Sequence, residues 1–163
     1  DLCEMSDFKG RINMGPYSTP EIVSELSKDE SCLYMTDAWV ENHGVQNPAI
    51  YDCFPKFLKF SLDGTGDTMS ATIRKMTGAV AERFSIQERG QIKPGYFADL
   101  TIVNLNLPDK ISTTKPAYKC GWSPLEGFTF SSSIAHTVVN GSIVVENGEF
   151  KEIKNAKPLS FNR

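Results

Sequence analysis

DTMSATIRKMTGAVAERFSIQERGQIKPGYFADLTIV, residues Asp67 to Val103, holds a helical period, a tight turn and an apolar run in that order. Met69, Ile73, Met76, Val80 and Phe84 recur at helical spacing and form one apolar stripe. Arg74, Lys75, Glu82 and Arg83 read as charges elsewhere on the helix surface, and Asp67 as its N-cap. In Lys93-Pro94-Gly95-Tyr96 the proline presets φ and the glycine accepts φ > 0, as a type II turn requires. Ala98 to Val103 then reads as a buried strand. This order of elements seats a helix against a small sheet.

Working outward, Leu62 to Asp67 is a turn rich in glycine and aspartate. Upstream, Ser18-Thr19-Pro20-Glu21 has the form of a capping box, and predicts a helix through about Lys28 that buries Ile22, Val23 and Leu26. Ser31 to Thr36 predicts a strand buried on both faces, ending at Asp37. Downstream, Asn104 to Lys119 is polar, contains Pro108 and Pro116, and reads as an extended loop. Asn140-Gly141 lies between Thr137-Val138-Val139 and Ile143-Val144-Val145, the pattern of a type I′ hairpin, and Asn147-Gly148 predicts a second turn.

The composition narrows the function classes. A chain of 163 residues with a 40% hydrophobic share can bury a core of ordinary size. A net charge of -3 without a basic cluster argues against nucleic acid or an anionic membrane surface as partner. No apolar run approaches the ~20 residues that a membrane helix needs. Cys3, Cys32, Cys53 and Cys120 have no CxxC spacing, so they read as free thiols, with a cytoplasmic location expected. The start at Asp1 rather than Met suggests a piece of a longer protein or a processed product.

Ile73-Arg74-Lys75-Met76-Thr77, Ala81-Glu82-Arg83-Phe84, Arg89 to Gly95 and Ala98-Asp99-Leu100 resemble the C-terminal signature of the metal-dependent amidohydrolase superfamily. The variant is most similar to the N-acyl-D-amino-acid deacylases. The resemblance implies an α/β plus β fold: the terminal part of a TIM (β/α)8 barrel over residues 1–84, then part of a small β-sandwich over 85–163. It specifies lineage more than chemistry, since none of these residues is expected to be catalytic. Trp122-Ser123-Pro124-Leu125-Glu126-Gly127 instead looks like an element of dihydroorotases and hydantoinases. Trp122 and Leu125 are expected to pin that loop to the core.

Helix, strand, Asp37, then a long loop to Phe54-Pro55-Lys56-Phe57-Leu58 are similar to the last βα unit of the deacylase barrel. The tip of a parallel barrel strand is where such barrels keep their active sites. The resemblance therefore implies that Asp37 contacts the metal, expected to be Zn²⁺, and acts as general base. Water on such an ion has its pKa lowered towards ~7, and a nearby carboxylate can take its proton. An aspartate that caps its own loop is the bland alternative. His43, in the loop after Asp37, is a candidate for contact with a small-molecule amide substrate; His136 reads as structural. Two histidines cannot furnish the histidine-rich metal set of these enzymes, so the remaining ligands are expected upstream. The deacylase arginine that grips the substrate carboxylate is also missing, because Asn47-Pro48-Ala49 stands in its place. Lys56, or a side chain from the upstream part, is a candidate substitute; otherwise the substrate is something other than an acyl-D-amino acid.

Two classes compete. In the first, the chain is the C-terminal third of a metal-dependent hydrolase of linear or cyclic amide C–N bonds, inactive alone, with an upstream barrel portion as partner. Such a barrel takes about 250 residues by itself. In the second, it is a self-contained binding or structural module. Unpaired strand edges favour the first, because they drive pairing with another chain, a homo-oligomer included.

Overall fold

The computed structural model describes residues 19–37, 49–111, 123 and 125–162. The helices all precede the main sheet: α1 (Pro20–Lys28), α2 (Ala49–Leu62), α3 (Met69–Met76) and α4 (Gly78–Arg83). Six strands follow: β1 (Leu100–Asn104), β2 (Asp109–Lys110), β3 (Thr129–Phe130), β4 (Ser133–Val139), β5 (Ser142–Glu146) and β6 (Glu149–Phe150).

Each helix start has a local cause. Thr19, not Ser18, caps α1: its hydroxyl accepts from the Ile22 amide at 3.4 Å, and Pro20 fills the first helical position, where no amide is needed. Thr68, not Asp67, caps α3 by accepting from the Ala71 amide at 3.3 Å. The single long helix expected from Met69 to Phe84 is two helices, because Thr77, at φ -132° and ψ -92°, leaves the helical region. The break lets Gly78 pack closely beneath the backbone of Gly90, whose oxygen would lie 3.3 Å from any Cβ placed there. Ser85, at φ 54°, then ends α4, and the Ile86 amide donates back to the Ala81 carbonyl at 2.9 Å.

The expected strand from Ser31 to Thr36 is not formed; residues 32–37 carry neither helix nor strand. Nor are both faces buried, since Tyr34 is buried while Met35 is 68% exposed. A strand buried on both faces needs neighbours on both sides. Among the described residues the segment meets the helices α1, α2 and α3, which offer no ladder of strand backbone groups.

The main sheet has the order β1-β4-β5-β6 and is antiparallel throughout. β4 and β5 form the expected hairpin, with Asn140 at φ 47° and Gly141 at φ 83°, the two positive φ values of a type I′ turn. Asn147 and Gly148 repeat that turn between β5 and β6. β1 starts at Leu100 rather than Ala98 and is half-exposed rather than buried. Its register shifts between Ile102 and Val103, where Ala135 of β4 is the extra residue of a bulge. β2 and β3 make a separate two-stranded ribbon.

Interior space is shared between apolar and polar groups. Tyr34, Cys53, Ala79, Ala81, Leu125 and Phe130 are buried, and so are Ser27, Asp52, Thr72 and Lys75. Lys75 therefore departs from its expected place on the surface. The apolar stripe of α3 faces a groove of about 750 Å³ instead of a filled core. Met69, Ile73 and Met76 line it from α3, Leu58 from α2, and Leu100 and Val103 from β1.

Candidate functional site

The site is built from the segment that carries Asp37. After α1 the chain turns at Asp29, whose Oδ1 accepts from the Ser31 amide at 2.8 Å and the Ser31 hydroxyl at 2.5 Å. Those bonds hold the Asp29 carboxyl below its ordinary pKa. Tyr34 then enters the interior. Its ring stacks on Phe57 of α2, with centroids 3.7 Å apart and planes 1° from parallel, and its hydroxyl donates to the Ser27 carbonyl at 2.9 Å. Burial pushes the Tyr34 phenol up, against the opposing pull of the Lys75 charge.

One residue on, the Met35 carbonyl accepts from the Cys53 thiol at 3.1 Å. Burial, with the Asp52 charge beside it, pushes that thiol's pKa up and keeps it a donor. Asp37 follows, exposed to solvent, in the left-handed region at φ 44°. An aspartate tolerates that conformation better than most residues. The chain thus pins two consecutive residues to the helices and then presents a carboxylate outward.

His43 lies outside the described residues, as do Trp122, Asn47 and Pro48. Lys56 remains partly exposed, and its ammonium pairs with the buried Asp52 carboxylate one turn earlier on α2. Leu125 is buried as expected, and Ser123 Oγ accepts from its amide at 3.1 Å. Among the described residues no three His, Cys, Asp or Glu side chains come together as a metal site. The described residues by themselves do not make up a metal site; Asp37 offers one carboxylate to such an ion.

Lys75 is the residue whose role the sequence reading missed. Its Nζ is buried and donates to the Ser27 carbonyl at 2.6 Å and to Asp67 Oδ2 at 2.8 Å. It also stands 5.9 Å from the centre of the Tyr34 ring. The available signal was Thr72 and Lys75, three residues apart on one face of α3, beside the apolar stripe of Met69, Ile73 and Met76.

No family model matches the chain. A dihydroorotase from Methanothermobacter thermautotrophicus is 30% identical over 96 residues, 58% of this chain and 22% of that enzyme. A dihydroorotase from Methanosphaera stadtmanae is 24% identical over 137 residues, 84% of this chain and 29% of that enzyme. Among solved structures, the D-hydantoinase (dihydropyrimidinase) from Thermus sp. superposes with a TM-score of 0.57 at 20% identity, covering 68% of this chain and 24% of that one. These relatives and fold neighbours are amidohydrolases. The chain spans less than a third of the length of the two dihydroorotases, at 22% and 29%. The amidohydrolase likeness expected from Ile73 to Leu100 is therefore supported at the level of the superfamily; the particular closeness to the deacylases is not.

Proposed function

We propose that this chain is the C-terminal portion of a metal-dependent hydrolase of amide C–N bonds, and that Asp37 is its proton-transfer group. The observation that carries the reading is the 96-residue likeness to a dihydroorotase. The exposed carboxylate at the end of a doubly anchored segment supports the choice of Asp37. Such a carboxylate can take a proton from an attacking water and return it to the leaving nitrogen. Zinc, the expected ion, would need its other ligands from outside this chain.

On this reading residues 1–84 close a barrel and residues 85–163 supply part of a sandwich. The partner is an upstream barrel portion, in the same chain or another, which covers the apolar groove beside α3. Apolar surface of that kind is costly to leave in water. The working compartment is the cytoplasm. A cyclic amide is favoured over an N-acyl-D-amino acid, because the matched relatives are dihydroorotases and Asn47-Pro48-Ala49 offers no arginine for an acyl-amino-acid carboxylate.

The test starts from the native assembly. Its intact mass should exceed the 18.1 kDa of this chain, its metal content should be stoichiometric, and it should hydrolyse dihydroorotate or a hydantoin faster than an N-acetyl-D-amino acid. Asp37→Asn should lower turnover about 10²- to 10⁴-fold without unfolding the chain. A lone, metal-free species without hydrolytic activity would favour the binding-module alternative.

A further inference from the structure

We infer that Lys75 is a positioning residue for Asp37, acting through the Ser27 carbonyl and Tyr34; the inference rests on the role proposed for Asp37. Ser27 sits one residue before the end of α1, where helix carbonyls lack intrahelical donors. Its oxygen receives two, the Lys75 ammonium at 2.6 Å and the Tyr34 hydroxyl at 2.9 Å. A cation at that helix end also suits the negative pole of the helix. The second tie of Lys75, to Asp67 at 2.8 Å, fixes the ammonium from the loop that enters α3. One lysine therefore locks α1, α3 and the ring of Tyr34 into a single arrangement.

Asp37 lies three residues beyond Tyr34, at most about 10 Å of extended chain. The Cys53 thiol holds the Met35 carbonyl in between. That leaves little slack, so a change in where Tyr34 sits is passed on to the carboxylate. Displacement of a reacting group by about 1 Å can cost on the order of 10²-fold in rate. Lys75 is buried and spends two of its three N–H donors on Ser27 and Asp67, inside the fold rather than at a surface. Its loss should thus lower kcat and leave KM alone. A lysine that merely stabilised the fold would affect activity only in proportion to the protein unfolded.

The experiment uses the assembled enzyme of the preceding proposal and compares Lys75→Met and Tyr34→Phe with two references. Val138→Ala weakens the distant sheet, and Arg74→Ala removes the surface partner of Glu82. All are assayed well below their own Tm, and alkylation of Cys53 by iodoacetamide is followed by peptide mapping. Lys75→Met should lower kcat about 10- to 100-fold with KM within about twofold. Tyr34→Phe, which keeps the ring stack, should lower kcat by about three- to tenfold. Both should speed Cys53 alkylation about tenfold, as Met35 lets go of the thiol. The references should do neither. A folded Lys75→Met within about twofold of the parent kcat, or an equal loss in Val138→Ala, overturns the inference. Should Lys75→Met fail to fold, Tyr34→Phe at parental kcat overturns it as well. If Asp37→Asn itself keeps turnover, the functional reading falls whatever Lys75 does; if Asp37→Asn is dead and Lys75→Met is active, only the positioning role falls.

Discussion

The guanidinium of Arg89 donates to Oδ1 of Asn140 at 2.8 Å, across 51 positions of sequence. The same guanidinium pairs with the Asp99 carboxylate and lies 4.2 Å over the Phe97 ring. Asp99 accepts in turn from the Asn140 amide at 2.7 Å, and Asn140 Nδ2 donates to the Asn155 carbonyl at 2.7 Å. The loop after the helices is thereby tied to the tip of the β4–β5 hairpin. Arg89→Met should lower unfolding free energy by about 1–3 kcal/mol, since Asp99 loses its charged partner, though it keeps the Asn140 amide, and Asn140 Oδ1 loses its donor. Arg89→Lys should not restore it, because an ammonium cannot donate to both while stacking on Phe97. Asn140→Gly keeps the turn's φ but removes the side chain, at about 1–2 kcal/mol. In urea titrations the double variant should fall short of the sum by about 1 kcal/mol; strict additivity would mean the two residues are not coupled.

Gly90 and Gly95 both have positive φ, 81° and 86°, yet their surroundings differ. A Cβ on Gly90 would lie 2.7 Å from the Ala81 Cβ and 3.1 Å from the Thr77 carbonyl, whereas one on Gly95 would meet nothing within 4 Å. Gly95→Ala should cost about 1 kcal/mol through backbone strain alone. Gly90→Ala adds a clash at the close packing of the loop on α4 and should cost about 3 kcal/mol or more. Equal losses in the two variants would show that the close approach at Gly90 contributes nothing.

Phe57 stacks on Tyr34 and meets Phe60 edge-on at 6.1 Å, so it joins the Asp37 segment to α2. Phe57→Leu retains apolar bulk and loses the stack, a change of about 1–2 kcal/mol in stability. Its effect should be local. Hydrogen exchange should quicken in α1 and α2 while β4 and β5 keep their protection. A uniform loss across the chain would mean that helices and sheet unfold as one unit.

The sheet was more legible in the sequence than the helical half, and the reason is the range of the forces involved. Asn140-Gly141 and Lys93-Pro94-Gly95 set their own backbone, so their turns follow from residues in contact along the chain. The Tyr96 amide closes the second by donating to the Lys93 carbonyl at 3.2 Å. Ser31 to Thr36 reads as a strand by composition, but strand formation depends on a backbone partner that composition does not reveal. The break at Thr77 depends on Gly90 packing against Gly78 and Ala81, residues far enough apart that helical periodicity alone runs straight through it. Lys75 looked like a surface charge because burial of an ammonium requires both the Ser27 carbonyl and Asp67, one of them 48 positions away. For the candidate site, Asp37 could be picked out only by resemblance. Its two upstream anchors depend on Tyr34 and Met35 meeting α1 and α2, contacts that no local pattern encodes.

Asp67 gives the chain a defined response to acid. Its carboxyl is held below its ordinary pKa, chiefly by the hydrogen bond from Lys75 and, to a smaller extent, by the Thr68 amide; partial burial opposes both. A carboxylate whose native pKa is depressed binds protons more weakly folded than unfolded. Its contribution is therefore complete above the unfolded value of about 3.9 and fades as pH falls through the lower native value. Asp67→Asn should destabilise the chain at pH 7; the gap to the parent should begin to close below about 4, where the unfolded carboxyl protonates, and should vanish below the depressed native value, where the folded parent's carboxyl is neutral too. The parent's acid limb should become shallower in the variant without disappearing, because Asp29 and Glu146 are held low by Ser31 and Lys151 respectively. Urea titrations of both proteins from pH 2 to 7 would measure this. A gap of constant size across that range would mean that Asp67 acts through its shape and not through its charge on Lys75.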